Sequence, residues 1–556
     1  MKLFQGRIWK EKVDDVSDNS ESELKAETDS TDCTSDSIDV SDETSSRRSS
    51  STSCDESWET GDFCSNKLSF MSTDSGCASV LAQKLQDSTP VDFFNLFFDQ
   101  NLMQLIVDQT NLYHNQMQET TSKKHPWFDV TIDEMYVFLA TTMLMSFMEK
   151  DKLLHYLSPD GLMTTPIFNE SFSRHRYFAI LRNLHFNDNN STEQSEDSRL
   201  QKVNPVLCNL QEKFSDSFYP YQNICVDESM ISSKGHLKFQ QCISSKRSRL
   251  GIRLFLMRDC STGFILNFVV HNENTAELVR TKELDISGSI VMTLMKNYLD
   301  KGHILYVDDW CSSPKLFQIL YERSTGTCGT VRKNRSGFPL LQENLQQGEQ
   351  SSLHRDSMLA LKWHDKKDVY MLSTVHDSSM ISTGRKNSAT GEELLKPLCV
   401  KDYDQNRNAV DRSDMQMKFS KSLQESLKWY NKLFFHMMNL SILNAHILFK
   451  KVQQRHLPLS RFRYEVIRGL LAKYGYTKTH IRRVFNDHSL RLTTKHSPAL
   501  IPPNDSNQTP RRRCYVCTNY KRQPKEQSYT RYQCLECNIG LCVPKCFQQF
   551  HASQRA

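Results

Sequence analysis

Residues 223–227 and 303–308 spell Asn-Ile-Cys-Val-Asp and His-Ile-Leu-Tyr-Val-Asp, two apolar runs that each end in an aspartate. The pattern predicts two buried strands that lead into Asp227 and Asp308. A third aspartate, Asp411, comes three residues before Asp414, so these two share a face if their segment is helical. A buried carboxylate is unfavourable unless something binds it, and a divalent cation such as Mg²⁺ or Mn²⁺ is the usual binder of converging carboxylates. The residues therefore suggest a metal-dependent phosphoryl-transfer site.

The segments around these aspartates predict a mixed α/β core. In chain order the predicted elements are strands over 224–227, 252–258 and 264–271, a helix over 288–300, a strand over 303–308, a helix from about 312 and a strand over 327–332. This is the order of an RNase H-like α/β core. In that fold the first and fourth strands are neighbours, so Asp227 and Asp308 are expected side by side. Taken singly, each aspartate is equally compatible with an ordinary strand end or helix cap.

Charge is distributed unevenly along the chain. Residues 1–89 hold 19 acidic and 9 basic side chains and are rich in Ser and Thr, so we expect a disordered tail. The tail is either phosphorylated on its hydroxyl side chains or serves only to keep the protein in solution. Between 421 and 510 the balance reverses, with 15 Lys and Arg against 4 Asp and Glu. This basic limb is expected to contact the DNA backbone; the alternative is a solvated helical face.

Six of the seventeen cysteines crowd between residues 514 and 546. The paired x2 spacings and the histidine that follows predict Zn²⁺ bound by Cys514, Cys517, Cys534, Cys537, Cys542, Cys546 and His551. Seven ligands are one short of two four-ligand sites, and the eighth could be His496 or a partner group. The spacing leaves open which pairs share an ion. The other cysteines are scattered, which is typical of a reducing compartment.

The chain shows no sign of membrane insertion. No uninterrupted apolar stretch approaches the roughly 18 residues that cross a bilayer. The first residues, Met-Lys-Leu-Phe-Gln-Gly-Arg, lack the apolar centre of a signal peptide. We therefore expect a soluble intracellular protein, located in the nucleus and without a membrane partner.

Four motifs, in this order, resemble those of piggyBac transposases and their domesticated vertebrate derivatives over about residues 90–551. They are Val226-Asp227-Glu228-Ser229, Tyr306-Val307-Asp308, Gly329-Thr330-Val331-Arg332-Lys333-Asn334-Arg335 and Ala409-Val410-Asp411-Arg412-Ser413-Asp414, and the Cys/His module follows them. The resemblance implies that Asp227, Asp308 and Asp411 are catalytic and hold Mg²⁺ or Mn²⁺, with Asp414 in support. It also implies cut-and-paste cleavage and joining of double-stranded DNA at transposon ends and TTAA targets, by a homodimer.

Further DNA contacts are expected outside the aspartates. The resemblance implies that Trp429 packs against DNA; the alternative is an aromatic on the core face of a long helix. We also expect DNA contacts from Arg332, Lys333, Arg335, Arg482 and Arg483. The chain departs from the family at Asp309, which stands where asparagine is usual. That extra carboxylate either perturbs metal occupancy or faces outward.

These observations lead to one domain plan and three functional hypotheses. The chain is a transposase or transposase-derived enzyme, or a domesticated DNA- or chromatin-binding protein that keeps the fold, or an unrelated zinc-finger regulator. The intact aspartates favour the first. The predicted domains are a disordered tail (1–89), an α-helical DNA-binding and dimerisation part (90–222), the first part of the core (223–334), an insertion domain (335–397), the second part of the core (398–420), a basic α-helical DNA-binding and dimerisation part (421–510) and a zinc-binding module (511–556).

Overall fold

The computed structural model describes residues 58–552 except 62, 65–67, 72–74, 121–126, 161, 191–199, 233–240, 243–249, 272–277, 280–282, 387–390, 392, 415–427, 476–497, 504–508, 520–528 and 535–536. The strands are β1 (Gly76–Cys77), β2 (Phe218–Tyr219), β3 (Asn223–Ser232), β4 (Gln241–Cys242), β5 (Leu250–Asp259), β6 (Ile265–Val270), β7 (Ile304–Val307), β8 (Gly326–Thr330), β9 (Gln350–Arg355), β10 (Met358–His364), β11 (Asp368–Ser373), β12 (Met380–Lys386), β13 (Glu393–Pro397), β14 (Pro498–Leu500), β15 (Arg512–Arg513), β16 (Tyr529–Thr530), β17 (Tyr532–Cys534) and β18 (Ile539–Gly540). The helices are α1 (Ser79–Lys84), α2 (Pro90–Phe94), α3 (Gln100–Thr120), α4 (Ile132–Leu144), α5 (Pro166–Ser171), α6 (Arg174–Asn183), α7 (Asn204–Ser217), α8 (Ile286–Met295), α9 (Pro314–Glu322), α10 (Leu398–Asp414), α11 (Trp429–Gln453), α12 (Leu459–Tyr474), α13 (Tyr515–Asn519) and α14 (Lys545–Ala552). None of these described helices combines the length and the apolar character that crossing a bilayer requires.

A mixed sheet lies at the centre of the fold. Among the described residues it has nine strands in the order β4-β5-β3-β7-β8-β11-β10-β9, and β6 also pairs with β5. Strands β3, β5 and β6 are antiparallel, whereas β7 pairs in parallel with both β3 and β8. Cys225 on β3 lies opposite Tyr306 on β7. The predicted adjacency of the first and fourth core strands is therefore confirmed.

Helices cover the sheet and explain why its inner strands are apolar. Helix α10 packs across β3, β7 and β8, while α9 packs against β8 and β10. Helices α7 and α8 both pack against β6. Parallel strands that are covered by helices read as continuous apolar runs rather than as an alternating pattern. This is the pattern of Ile224, Cys225 and Val226, all of which are buried.

The segment predicted as an insertion, 335–397, contributes strands to the central sheet. Strand β11 pairs antiparallel with β8, and β10 and β9 extend the sheet beyond it. Only β12 and β13 form a separate two-stranded sheet. Three strands of the predicted insertion thus continue the core sheet.

Helices from both ends of the first 475 residues pack together in one layer. Helix α11 is buried from Tyr430 to Phe449 and packs against α2, α7 and α12. Helix α12 in turn packs against α2 and α4. A Cβ atom at Gly469 of α12 would lie 2.2 Å from a methyl carbon of Val91 on α2, so this close approach requires glycine. The predicted helices before residue 222 and after 428 therefore form one structural unit.

Part of the predicted disordered tail is bound to the core. The indole N–H of Trp58 donates to the carbonyl of Gly337, and Glu59 forms a β-bridge with His354. Phe63 stacks on His354, and Phe70 packs edge-on against His303. Because these contacts and β1 lie between residues 58 and 77, the prediction of disorder up to residue 89 is wrong for this part.

The chain divides into two units, residues 1–475 and 476–556. In the second unit β14 pairs with β17, which pairs with β18. Residues 498–500 therefore belong to the cysteine-rich module and not to the basic helical segment predicted over 421–510. Arg482, Arg483 and His496 lie outside the described residues, so the predictions made for them stay predictions.

Two buried histidines are expected to make the first unit sensitive to acid. Burial lowers the pKa of both His185 and His303 to about 4, so both are neutral in the folded chain at neutral pH. In the unfolded chain histidine binds a proton below about pH 6.5. The stability that they contribute is therefore complete above that pH and is lost as the pH falls towards 4. We expect a lower urea midpoint at pH 5 than at pH 7.5, and a smaller difference in His303→Gln; equal midpoints in the native chain would contradict this.

Candidate active site and C-terminal metal site

Asp227 and Asp308 follow the paired part of two neighbouring strands. The parallel ladder between β3 and β7 ends at the pair Cys225 and Tyr306, and each aspartate lies two residues beyond its member of that pair. Adjacent strands are about 4.8 Å apart, a spacing at which two carboxylates can share bound cations. Asp227 is buried and Asp308 is half-buried. The fold thus brings together two of the four predicted aspartates from positions 81 residues apart.

The turn after β7 fixes the Asp308 side chain. Its Oδ1 accepts hydrogen bonds from the backbone N–H groups of Trp310 and Cys311, both at 3.2 Å. Trp310 in turn stacks on Phe255 of β5, and the Arg253 guanidinium lies 4.0 Å from the centre of its ring. Asp308 is therefore oriented by a turn that is itself anchored to the sheet.

Helix α10 is fastened across the two strands by a polar cluster. The Tyr306 hydroxyl on β7 donates to the Asp402 carboxylate, and His376 Nε2 lies 3.0 Å from the same carboxylate oxygen. Asn406, also on α10, accepts a hydrogen bond from the Asn223 side chain of β3 at 3.0 Å. Burial would raise the pKa of Asp402, but the hydrogen bonds from His376 and Tyr306 lower it below its usual value. The anionic Asp402 therefore holds α10 against β7.

The same helix places a cation beside Asp227 and carries the remaining two predicted aspartates further along the chain. Nη2 of Arg407 lies 3.8 Å from Oδ1 of Asp227, and its Nη1 donates to the Tyr403 hydroxyl at 2.6 Å. Asp411 lies one helical turn beyond Arg407, and Asp414 lies three residues further along. The backbone of α10 thus carries both of these aspartates, whose side chains lie outside the described part of the structure.

Asp309, the departure from the family pattern, faces solvent. Its Oδ2 lies 3.3 Å from Nε of Arg332, and both side chains are about half exposed. Lys333 is likewise exposed and faces Glu343 at 3.7 Å. Arg335 is less exposed, and its guanidinium donates to Asp285 and to Ser287, residues at the start of α8. Of these three cations, which are among the five predicted to bind DNA, two are therefore in exposed ion pairs, which are weak and easily exchanged.

Trp429 is the first residue of α11 and lies beside a cluster of aromatic rings and cations. Its half-buried indole lies edge-on to the ring of Tyr430. The ammonium of Lys428 lies 5.0 Å from the ring of Tyr113 and donates to the carbonyl of Arg182 at 3.2 Å. Lys202 lies 5.6 Å from the ring of Tyr430. We call Arg182, Lys202 and Lys428, which are all exposed, the α11 patch.

The cysteine-rich module brings four thiols together around one point. The sulfur atoms of Cys514, Cys517, Cys542 and Cys546 all lie within 4.8 Å of one another. Sulfurs around a tetrahedral Zn²⁺ are about 3.8 Å apart, and Cys517 and Cys546 are 3.5 Å apart. Burial would raise the pKa of Cys514, but hydrogen bonds from the N–H groups of Cys517 and Cys542 lower it to about 7. The donor set therefore fits Zn²⁺, held as thiolates.

This geometry answers the pairing question for one ion. Cys514 and Cys517 lie with Cys542 and Cys546, so this pair does not share an ion with Cys534 and Cys537. Those two residues pack in the same small core, and His551 lies on α14 with its side chain outside the described residues. A site that uses Cys534, Cys537 and His551 stays a prediction.

Several site residues were missed from the sequence. Arg407 and Asp402 had no motif of their own, although Arg407 stands four residues before Asp411, and Tyr306 lay in a motif but was given no role. That helical spacing is the signal that could have assigned Arg407 to the face of Asp411. The cations of the α11 patch come from three separate segments, and no local pattern links them.

Comparison with known families shows what the chain resembles. Residues 89–446 match a family model described as Transposase IS4. Residues 495–552 match a DDE_Tnp_1-like zinc finger. The first match covers the central sheet, helices α2 to α10 and most of α11, and the second covers the four-thiol site.

Individual relatives and one solved structure are also transposases or proteins derived from transposable elements. The chain is 26% identical over 455 residues to the human PiggyBac transposable element-derived protein 2, a match that covers 78% of this chain and 73% of that protein. It is 24% identical over 413 residues to the human PiggyBac transposable element-derived protein 5, over 71% of this chain and 77% of the relative. The cryo-EM structure of the piggyBac transposase synaptic complex with hairpin DNA superposes with a TM-score of 0.64 at 20% identity, and the match covers 85% of this chain and 100% of that one.

Proposed function

Since the chain belongs to the piggyBac family of transposases and transposase-derived proteins, we propose that it is a metal-dependent enzyme that cleaves and joins DNA strands. One observation carries the proposal. Asp227 on β3 and Asp308 directly after β7 belong to two parallel neighbouring strands, and α10, which packs across both strands, carries Asp411 and Asp414. In this proposal the sheet and its covering helices are an RNase H-like core. A purely structural role for the aspartates does not explain why three core elements converge at one polar edge.

The residues present fit a pair of Mg²⁺ or Mn²⁺ ions. Carboxylate oxygens are the ligands that such ions prefer, and Asp308 keeps Oδ2 available because its backbone hydrogen bonds use Oδ1. Bound ions would activate the attacking oxygen and stabilise the leaving oxygen on phosphorus. The protein itself would orient Asp308 through the turn after β7 and hold α10 in place through Asp402 and Asn406.

The proposed substrate is double-stranded DNA with a TTAA target next to a transposon end. The superposed piggyBac transposase is a synaptic complex with hairpin DNA, and the basic excess beyond residue 421 is the matching charge in this chain. We propose that Trp429 stacks on DNA at the site, with the α11 patch on the neighbouring phosphates. Arg332 and Lys333 would contact phosphate once their exposed ion pairs open, and Arg482 and Arg483 would extend the contact. The enzyme would act in the nucleus as a homodimer.

The decisive experiment is a nicking and joining assay. The genomic flanks of the coding region are searched for terminal inverted repeats next to TTAA, and the purified full chain is incubated with that DNA and Mg²⁺ or Mn²⁺. The proposal expects nicks at the transposon end and strand transfer into TTAA. If the cognate DNA is bound yet never nicked, the chain is instead a domesticated DNA-binding protein that keeps the fold.

The α11 patch predicts a measurable salt effect on DNA binding. Removing Arg182, Lys202 and Lys428 together by alanine substitution should weaken binding to all duplex sequences alike. Each lost phosphate contact lowers the slope of log affinity against log salt by about 0.9, so the slope should fall by up to about 3. Fluorescence anisotropy at several salt concentrations measures it.

The matched control changes the same net charge elsewhere. Lys84, Lys296 and Lys367 are three exposed lysines on other surfaces, and their triple alanine variant should keep the native slope. Equal slopes for the two triple variants would show that the α11 patch does not contact DNA.

A further inference from the structure

The Arg407 guanidinium lies on the carboxylate edge itself. Its Nη2 is 3.8 Å from Oδ1 of Asp227, which is longer than a normal hydrogen bond. Its Nη1 donates a hydrogen bond to the Tyr403 hydroxyl at 2.6 Å. The Asp227 side chain is only 12% exposed, whereas that of Arg407 is 36% exposed. Arg407 thus approaches the buried carboxylate from the solvent side, on a side chain that has room to move.

The electrostatics identify what Arg407 does there. Two carboxylates on adjacent strands repel each other, and burial of Asp227 adds to the unfavourable energy. Arg407 forms an ion pair with Asp227, and among the described residues no ion pair is found for Asp308. The positive charge of Arg407 therefore offsets part of the charge of the buried Asp227 carboxylate.

We propose that Arg407 is an internal counter-ion that partly neutralises the charge of Asp227 and Asp308 in the free protein, opposes metal loading, and transfers to a DNA phosphate when substrate binds. This inference rests on the proposed function. A guanidinium a few ångströms from a divalent ion is repelled by it, so the free protein binds the ion weakly. Phosphate is a good partner for a guanidinium because it accepts two parallel hydrogen bonds. Bound DNA would thus remove the competing charge at the moment when the metal is needed.

The first test measures metal affinity without DNA. Isothermal titration of the full chain with Mn²⁺ compares the native protein with Arg407→Gln, and we expect the variant to bind about tenfold more tightly. This is on the order of the effect of one unit charge near a divalent ion in a solvated cleft. The melting temperature gives a second reading: without metal the variant should melt below the native protein, and saturating Mn²⁺ should raise its melting temperature more.

Two controls separate this inference from the proposed function. Lys401→Gln removes a positive charge from the same helix and should leave Mn²⁺ affinity near the native value. Asp227→Asn should abolish the weak Mn²⁺ binding of the native chain at this site; if it binds Mn²⁺ like the native chain, the proposed metal site itself is wrong. If Asp227→Asn loses the ion but Arg407→Gln gains no affinity, only the counter-ion inference is overturned. Arg407→Met serves as a second charge-free variant should the glutamine variant fail to fold.

The second test concerns the transfer to DNA. In the absence of divalent metal, Arg407→Gln should bind duplex DNA with a salt slope lower by about 0.9, the value for one phosphate contact. Lys401→Gln is again the control and should keep the native slope. An unchanged slope in Arg407→Gln would overturn the transfer of Arg407 to phosphate.

Discussion

Replacing Asp227 by asparagine is expected to abolish DNA strand cleavage while the protein stays folded and bound to DNA. The substitution removes one negative charge and almost no volume, so the packing of β3 against β5 and β7 is kept. A metal site that loses one of its carboxylates loses most of its affinity and its fixed geometry. We expect at least about a 10³-fold loss of the nicking rate, or about 4 kcal/mol of transition-state stabilisation. The measurement is single-turnover nicking of a labelled cognate end in Mg²⁺, with DNA affinity measured in parallel.

The same result is expected for Asp308→Asn and Asp411→Asn, and a smaller loss for Asp414→Asn because its role is supporting. The chain offers a matched control at Asp309, the neighbour of Asp308. Asp309 is exposed and paired with Arg332, so Asp309→Asn makes the identical chemical change outside the metal site. Its nicking rate should equal or exceed that of the native protein. Cleavage by Asp227→Asn at the native rate would mean that the carboxylates are structural.

The partnership of the two core aspartates was predictable because it follows from the order of elements. A meander of three strands followed by a crossover helix and a further strand is the order expected of an RNase H-like core, in which the fourth strand lies beside the first. Apolar runs that end in Asp227 and Asp308 then fix the register of the two residues. The structure has this pairing, with Cys225 opposite Tyr306.

The contacts of Arg407 and Asp309 could not be predicted, because they depend on how one element lies across another. Whether Arg407 reaches Asp227 is decided by the tilt of α10, which is set by Asp402 and Asn406 through contacts distant in sequence. Asp309 faces outward because the turn after β7 commits Asp308 to the backbone N–H groups that follow. Neither geometry leaves a local pattern.

Non-local strand pairing and isolated aromatic contacts explain two features that the domain plan did not anticipate. The strands over 350–373 were recognisable, but their addition to the edge at β8 is a pairing between segments that sequence pattern does not specify. In the tail, the polar composition predicted disorder, whereas Trp58, Phe63 and Phe70 each find a partner on the core. A few aromatic side chains can order a polar segment against an existing surface, and average composition does not detect this.

Removing zinc is expected to unfold the cysteine-rich module and to leave the first unit folded. The core of this module consists largely of the metal-site cysteines with Val516 and Leu541, too small to be stable without metal. Structural zinc contributes on the order of 10–16 kcal/mol in small zinc modules, which exceeds what such a core supplies. After chelation, limited proteolysis of the full chain should cut within residues 498–552 and spare the fragment that ends near residue 475. Elemental analysis before chelation should show stoichiometric zinc.

The grouping of the cysteines around one ion also predicts how zinc content changes when cysteines are replaced singly and in pairs. Cys514→Ser and Cys542→Ser both damage the four-thiol site, so the double variant should lose no more zinc than either single variant. Cys534→Ser lies outside that set, and its loss of zinc should add to that of Cys514→Ser if Cys534, Cys537 and His551 hold a second ion. Cys208→Ser, an exposed cysteine of the first unit, is the control and should keep the full zinc content. Additive losses in Cys514→Ser and Cys542→Ser would contradict a shared ion, because two ligands of one tetrahedral site cannot release two ions.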